Sequence, residues 1–273
     1  LLVFVTTGGP ARLDQPRNLL VLEAGCRATV VECHLGLGAG PHLTNAVTQI
    51  ALGEGADLDH YLLQLEGPQA FHVSRTQASL ARDSRLTSCA IAFGARLARH
   101  EVQVTLDGEG AACTLSGLAV VGGRQHLDTH TFVDHRVPRA TSRQLYKGIL
   151  DGQSRGVFDG RVVVRPGANG TDAQQTNKNL LLGEGVEVDS KPQLEIFADD
   201  VKCSHGAADG QVAPEAIFYL RSRGLSKAAA RALLTYGFAA EVLGRVRVAP
   251  LGAWLETKLA RRLTGGRVVE EAA

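Results

Sequence analysis

Pro192-Gln-Leu-Glu-Ile-Phe-Ala-Asp-Asp-Val-Lys-Cys-Ser-His-Gly206 marks a change in the character of the chain. Before it the sequence reads as short strands and turns, and soon after it the pattern becomes helical. Cys203 and His205 sit at the changeover, two positions apart. Strand alternation over Val201–His205 places Val201, Cys203 and His205 on one face. A rise of about 3.3 Å per residue sets the two donor side chains roughly 6.6–7 Å apart at Cα. Both can then face one partner or one metal ion. Two donors alone do not complete a metal site, and a buried strand end with an incidental Cys and His is the plainer reading of the spacing.

The 273 residues suffice for a sizeable core, as one large all-β domain or two smaller units. The 29 basic and 28 acidic side chains nearly cancel, so charge gives no reason to expect nucleic acid or an anionic membrane as partner. No run approaches the roughly 20 apolar residues of a membrane span. Leu1-Leu2-Val3-Phe4-Val5 is too short for a signal-peptide core, lacks a basic flank and reads as a strand. With no initiator methionine, the chain is expected to be a piece of something longer. Cys26, Cys33, Cys89, Cys113 and Cys203 are odd in number, dispersed and without a C-x-x-C, which favours free thiols in a reduced, cytosolic compartment.

From Leu1 to about Gly206, runs of four to seven apolar or alternating residues are separated by Gly, Asn and Asp. Leu19–Glu23, Thr29–Leu35, Thr44–Leu52, Asp59–Leu65, Glu101–Leu106 and Gln193–Ala198 are examples. Gly-Glu-Gly recurs at 53–55, 108–110 and 183–185, each time before a new strand. This pattern predicts an all-β sandwich, barrel or solenoid. Three features favour the solenoid. Two-residue hairpin signals are few, aromatics make up only 5%, and small and β-branched residues dominate, as stacked coils require. The repeat has no fixed period.

The remainder is helical. Pro214 opens a first helix that Gly224 closes. Ser226 caps a second, predicted from Lys227 to about Arg247, with Leu234, Phe238, Val242 and Val246 as its apolar stripe. Beyond Pro250, Leu251, Leu255, Leu259 and Leu263 form the stripe of a third. The division expected is a β-core at 1–206, a helical segment at 207–265 and a frayed tail at 266–273.

No G-x-x-x-x-G-K-[ST] occurs, so ATP is not bound here through a P-loop. The densest set of donor residues is His126-Leu-Asp-Thr-His-Thr-Phe-Val-Asp-His135. His126, Asp128 and His130 share a strand face, with Asp134 and His135 just beyond. They suit a metal or acid–base site, or a solvated polar ladder on a β-coil, and the ladder is the favoured reading.

The run Val188–Gly206, with Ile217-Phe-Tyr-Leu-Arg-Ser-Arg-Gly224 and Leu234-Thr-Tyr-Gly-Phe-Ala-Ala-Glu-Val-Leu243, resembles the SufB/SufD family of iron–sulfur cluster assembly scaffolds. Ser142-Arg-Gln-Leu-Tyr-Lys-Gly148 and Thr171-Asp-Ala-Gln-Gln-Thr-Asn-Lys-Asn-Leu-Leu-Leu182 fit the same family, and Asp199–Gly206 resembles its SufD branch. Residues 1–120 match only in texture. The resemblance implies a right-handed parallel β-helix followed by a small helical segment, cytoplasmic in bacteria or in the plastid stroma of a eukaryote. It implies a non-enzymatic subunit that pairs with SufB and docks the SufC ATPase, with Phe218, Tyr219, Arg221, Leu234 and Phe238 as docking residues. A homodimer is possible in isolation. It further implies that His205, with Cys203 nearby, contributes to a transient iron–sulfur cluster at the SufB junction. No permanently bound cofactor is expected, and flavin on the complex is left open. Arg139-Ala140 departs from the family pattern of His or Asn followed by Cys, which weakens any role for a cysteine there. Rival readings are a β-helix carbohydrate-active enzyme or acyltransferase, and a purely structural solenoid. Neither clustered carboxylates in a groove nor tandem hexapeptides are found.

Overall fold

The computed structural model describes residues 1–9, 11–38 and 40–263. The tail expected at 266–273 lies outside them. Fifty-five per cent of the chain is strand, wound into a parallel β-solenoid of about seven turns with three helices after it. One eight-stranded sheet runs β1 (Leu2–Thr7), β4 (Arg27–Leu37), β6 (Asp57–Leu65), β8 (Arg85–Ala92), β10 (Ala112–Val121), β12 (Thr141–Leu150), β14 (Asp172–Leu181) and β16 (Lys202–Gly210). The facing sheet runs β15 (Glu187–Ile196), β13 (Arg155–Val164), β11 (His126–His135), β9 (Leu97–Leu106), β7 (Phe71–Leu80) and β5 (His42–Leu52). It ends on the short β2 (Arg12–Asp14), and β3 (Arg17–Leu22) also pairs with β5. Every pairing is parallel, and from β4 to β15 each coil contributes one strand to each sheet.

Parallel in-register pairing places like positions in columns through the interior. Ile50, Ala78, Val104, Val133, Val162 and Leu194 form one such column. Small and branched side chains suit it because each packs directly on its counterpart one coil away. The corners stack as well. Gly55 and Gly110 adopt φ of +65° and +73°, and between them Asp83 takes the same left-handed conformation at +53°. Gly25 N–H donates to Glu54 O (2.8 Å), Gly55 N–H to Arg82 O (2.9 Å) and Asp83 N–H to Glu109 O (2.9 Å), carrying the ladder through the turns. At Gly108 a Cβ would lie 1.9 Å from Arg82 N, so only glycine lets that corner close on the one before it.

The interior of the early coils is not wholly apolar. Glu32 faces His34 Nε2 at 2.8 Å and His60 Nε2 at 3.4 Å, and accepts a hydrogen bond from the Thr48 hydroxyl at 2.8 Å. Glu66 accepts from Thr44 (2.5 Å) and Gln64 (2.9 Å), with His72 Nδ1 at 2.7 Å and His42 Nε2 at 3.5 Å. All of these side chains are buried. Burial works to raise both carboxyls, but the imidazole and hydroxyl partners outweigh it and hold them below the ordinary range. These contacts tie the two sheets together across the interior.

Helices α1 (Pro214–Ser222), α2 (Lys227–Leu243) and α3 (Ala249–Arg262) follow β16. The Ser226 hydroxyl accepts from Ala229 N–H at 3.1 Å and caps α2, as predicted. The helix ends at Leu243, four residues short of the predicted Arg247. Arg247 is drawn onto the solenoid instead, its N–H donating to the Tyr61 hydroxyl (3.0 Å) and its guanidinium to Asp59 (3.0 Å). The buried face of α2 is Ala230, Thr235, Ala239, Val242 and Leu243, so of the predicted stripe only Val242 is fully buried. Alanines at the contact let the helix backbone approach the sheet closely. Leu255, Leu259 and Leu263 of the third predicted stripe are buried beside Ile91, Leu118 and Val120 on the outer face of the first sheet.

His135 is fully buried and His100 is partly covered among these columns, and desolvation pushes their imidazoles down to about 4 and about 3. Each is neutral when folded and takes up a proton near 6.5 when unfolded. Their contribution is therefore intact above pH 6.5 and is lost as pH falls towards 4, at up to ~1.4 kcal/mol per pH unit for each. Below about 4.5 the loss of Glu32 and Glu66 adds to it, while His42, raised by Glu66, works in the opposite sense. Urea unfolding between pH 7.5 and 4.5 should show stability falling with pH, and His100→Asn should reduce the slope. An unchanged slope in the variant would show that His100 is not held neutral.

Candidate functional site at the terminal coil

β16 is the last strand of its sheet and hydrogen-bonds to β14 alone, leaving its other edge bare. Its register sets Cys203 beside Ala173 and His205 beside Gln175. Ala173 is fully buried and Cys203 packs half-buried against the interior cluster, so this face of β16 turns inward. His205 shares the face but has no coil above it, and it is exposed. The predicted pair is thus brought to the open end of the solenoid on one side of one strand. In the same column Gln144 and Gln175 lie buried, and neither amide has a hydrogen-bond partner. The sequence reading missed these two. The alternation Gln144, Gln175, His205 becomes visible only once the register is known.

Several contacts hold this end in shape. The Asn179 amide donates to Asn177 Oδ1 (2.9 Å) and Asp209 Oδ1 (2.7 Å), and the Ser190 hydroxyl donates to Asn177 Oδ1 (2.8 Å). These bonds join β14, β15 and β16. Asp200, at φ +52°, turns the chain into β16, and its carbonyl accepts from Gly170 N–H at 2.9 Å. Ile196 and Phe197, just before that turn, are exposed.

Burial, with the nearby Asp172 charge adding to it, pushes the Cys203 thiol up, against a backbone hydrogen bond from Ala173. The group is therefore a thiol at neutral pH, and a metal would have to displace its proton to bind. Among the described residues no three His, Cys, Asp or Glu side chains converge on a point that could hold a metal ion. One thiol and one exposed imidazole fit a shared ligand set, not a complete one.

The His126–His135 run forms β11 throughout, but its polar residues divide between the two faces. Asp128 on the outer face receives Arg99 Nη1 at 2.5 Å and lies 2.7 Å from His130 Nε2. Asp134 is clamped by Arg136 (2.9 Å) and Arg165 (2.8 Å). His135 faces inward, with Nε2 2.9 Å from the Ser142 hydroxyl. The next outer column reads Arg75, Glu101, His130, Asp159 and Lys191. Acidic side chains alternate along it with basic ones and an imidazole, forming a solvated ladder that favours the native register.

Of the expected docking residues, Phe218 (74% exposed) and Tyr219 (57%) stand out from α1, with Arg221 exposed beside them. Leu234 and Phe238 are half-buried. The Phe238 ring lies 4.2 Å from the Lys147 ammonium and faces the solenoid. Leu233, half exposed, takes the outward position on α2.

A family model described as SUF system FeS cluster assembly, SufBD core domain, matches residues 4–238. The chain belongs to the SufB/SufD family. Iron–sulfur cluster assembly protein SufD of Escherichia coli K12 is 39% identical over 250 residues, which are 92% of this chain and 59% of that protein. An iron–sulfur cluster assembly SufBD family protein of Synechocystis is 36% identical over 92% of this chain and 57% of its own length. The chloroplastic protein ABCI7 of Arabidopsis thaliana is 35% identical over 85% and 49%. These matches place the chain on the SufD branch. It spans between about half and three fifths of the length of these relatives. No helix among the described residues is long and apolar enough to cross a membrane.

Thiol reactivity tests the placement of the cysteines. In the native protein Cys26, exposed, should react with a disulfide reagent first, and Cys203 should follow slowly, faster as pH rises towards 9. Cys33, Cys89 and Cys113 should react only after unfolding. Mass mapping that found Cys203 as fast as Cys26 at pH 7 would contradict its half-buried position.

Proposed function

We propose that this SufD-branch chain is a non-enzymatic scaffold subunit of SUF iron–sulfur cluster assembly. In this reading it pairs with SufB, docks the SufC ATPase, and lends Cys203 and His205 to a site that the partner completes. The observation that carries the reading is His205 standing exposed on the bare-edged last strand, with Cys203 on the same face. A nascent cluster is the cargo of such a site. One thiol and one imidazole hold it incompletely, so a second subunit must supply the other ligands, and the cluster can leave when the subunits move. The free edges of β15 and β16 and the exposed Ile196 and Phe197 provide a surface against which another β-helix can build. Phe218, Tyr219 and Arg221 on α1 supply an aromatic and cationic surface for the ATPase. The cytoplasm, or the stroma of a plastid, is the compartment this role requires.

The test is His205→Ala in the full-length protein, coexpressed with SufB and SufC. The complex should assemble normally, but anaerobic supply of iron and sulfide should fail to develop the visible absorption of a cluster. Cluster formation at the unmodified rate would remove His205 from the site.

A further inference from the structure

The seam between the helices and the first sheet is mostly apolar, with polar contacts at a few places. Its central outer column runs Cys33, Leu63, Ile91 and Leu118, then Lys147 and Lys178. The Lys147 side chain is only 4% exposed. Leucine or isoleucine at 147 would continue the column and match the helix above it. A buried ammonium is costly unless it is fully paired. Lys147 is paired three ways: its Nζ donates to Phe238 O at 2.8 Å, lies 2.5 Å from Glu241 Oε2, and sits 4.2 Å above the Phe238 ring. All three partners belong to one turn of α2.

Apolar contacts alone tolerate sliding and rotation of a helix over a sheet, because leucine packs nearly as well on either neighbour. A hydrogen bond to one carbonyl and an ion pair one turn further on tolerate neither. Buried charges are retained in some proteins to fix register at a cost in stability. We propose that Lys147 is a positioning residue that fixes the rotation and axial setting of α2 on the solenoid. It thereby sets the outward position of Leu233 and, through the packing of α1 on α2, that of Phe218 and Tyr219 at the angle required for docking the ATPase subunit. The second clause rests on the docking role proposed above.

Arg231 and Arg262 pin the two ends of the helical unit from the other direction. They donate from α2 and α3 to the carbonyls of Leu182 and Val120 on the solenoid. Lys147 is different in reaching from the sheet into the middle of a helix. A partner that turned α2 on binding would have to break its three contacts together, so the energy of docking and the setting of the helix are linked.

Lys147→Leu in the full-length protein, coexpressed with SufB and SufC, tests the inference. The melting temperature should hold or rise. Hydrogen exchange over 238–242 should quicken about tenfold and the affinity for SufC should fall about tenfold, each matching the loss of about 1.4 kcal/mol. Glu241→Ala, at a half-exposed position that does not threaten folding, should move both readouts the same way by about threefold and serves where the leucine variant does not fold. Phe218→Ala should weaken SufC binding without changing exchange in α2. If both α2 variants leave exchange unchanged, Lys147 does not set the helix. If exchange quickens and Phe218→Ala weakens SufC while Lys147→Leu does not, the positioning role is overturned and docking stands. If exchange quickens but no variant affects SufC, docking at this face fails and the setting of α2 by Lys147 stands alone.

Discussion

Parallel strands hydrogen-bonded in register impose one condition on everything else in this molecule: each side chain must coexist with its counterpart one coil away. That condition acts on both faces and at the corners. Inside, it selects aliphatic columns such as Ile50 through Leu194. Outside on the second sheet, like charges stacked at about 4.8 Å would repel, and the column Arg75, Glu101, His130, Asp159 and Lys191 avoids this by alternating. At the corners, successive turns come so close that Gly108 has no room for a Cβ against Arg82. A single-residue slip would break all three arrangements at once, so register is specified redundantly.

Against that background the buried Glu32 and Glu66 need a reason. Neither costs what an isolated buried charge would, since each has two imidazoles and at least one hydroxyl around it. Their partners come from both sheets. Apolar columns specify neighbours along the axis, but they discriminate poorly between settings of one sheet across from the other. Directional bonds such as Thr48 to Glu32 and Thr44 to Glu66 supply that second dimension. The same division of labour recurs outside the first sheet, where leucines hold the helices on and Lys147, Arg231 and Arg262 define where they sit.

The solenoid was legible because the turn signals and the small, β-branched composition follow from stacking itself. Its period was not. Paired positions are offset by as few as 26 residues, from Phe71 to Leu97, and by as many as 32, from Arg155 to Glu187. The strands β9 to β15 each span 10 residues, so the variation falls in the corners. β14 was hidden for another reason: Asp172-Ala-Gln-Gln-Thr-Asn-Lys-Asn carries polar side chains on both faces, and amide networks inside the last coils replace the apolar signal. Glu32-Cys-His34 did carry a trace of the interior cluster, as an acid and a base alternating in a strand otherwise apolar, but its partners lie 16 and 28 residues away. The α2 stripe misled because bulk was read as burial, whereas a helix on a flat sheet buries its smallest side chains deepest.

A stack of this kind satisfies every coil with the next one, and the only coils that cannot be satisfied are the first and the last. At β16 the inner column that passes through buried Gln144 and Gln175 emerges as His205, while Cys203 remains half covered by Ala173 and the interior cluster. The thiol is kept protonated by the very packing that holds it in place, and the imidazole beside it is exposed. The exposure of donor atoms at this end therefore does not require a special pocket. It follows from ending a repetitive core on donor residues, on a strand whose outer edge has no partner.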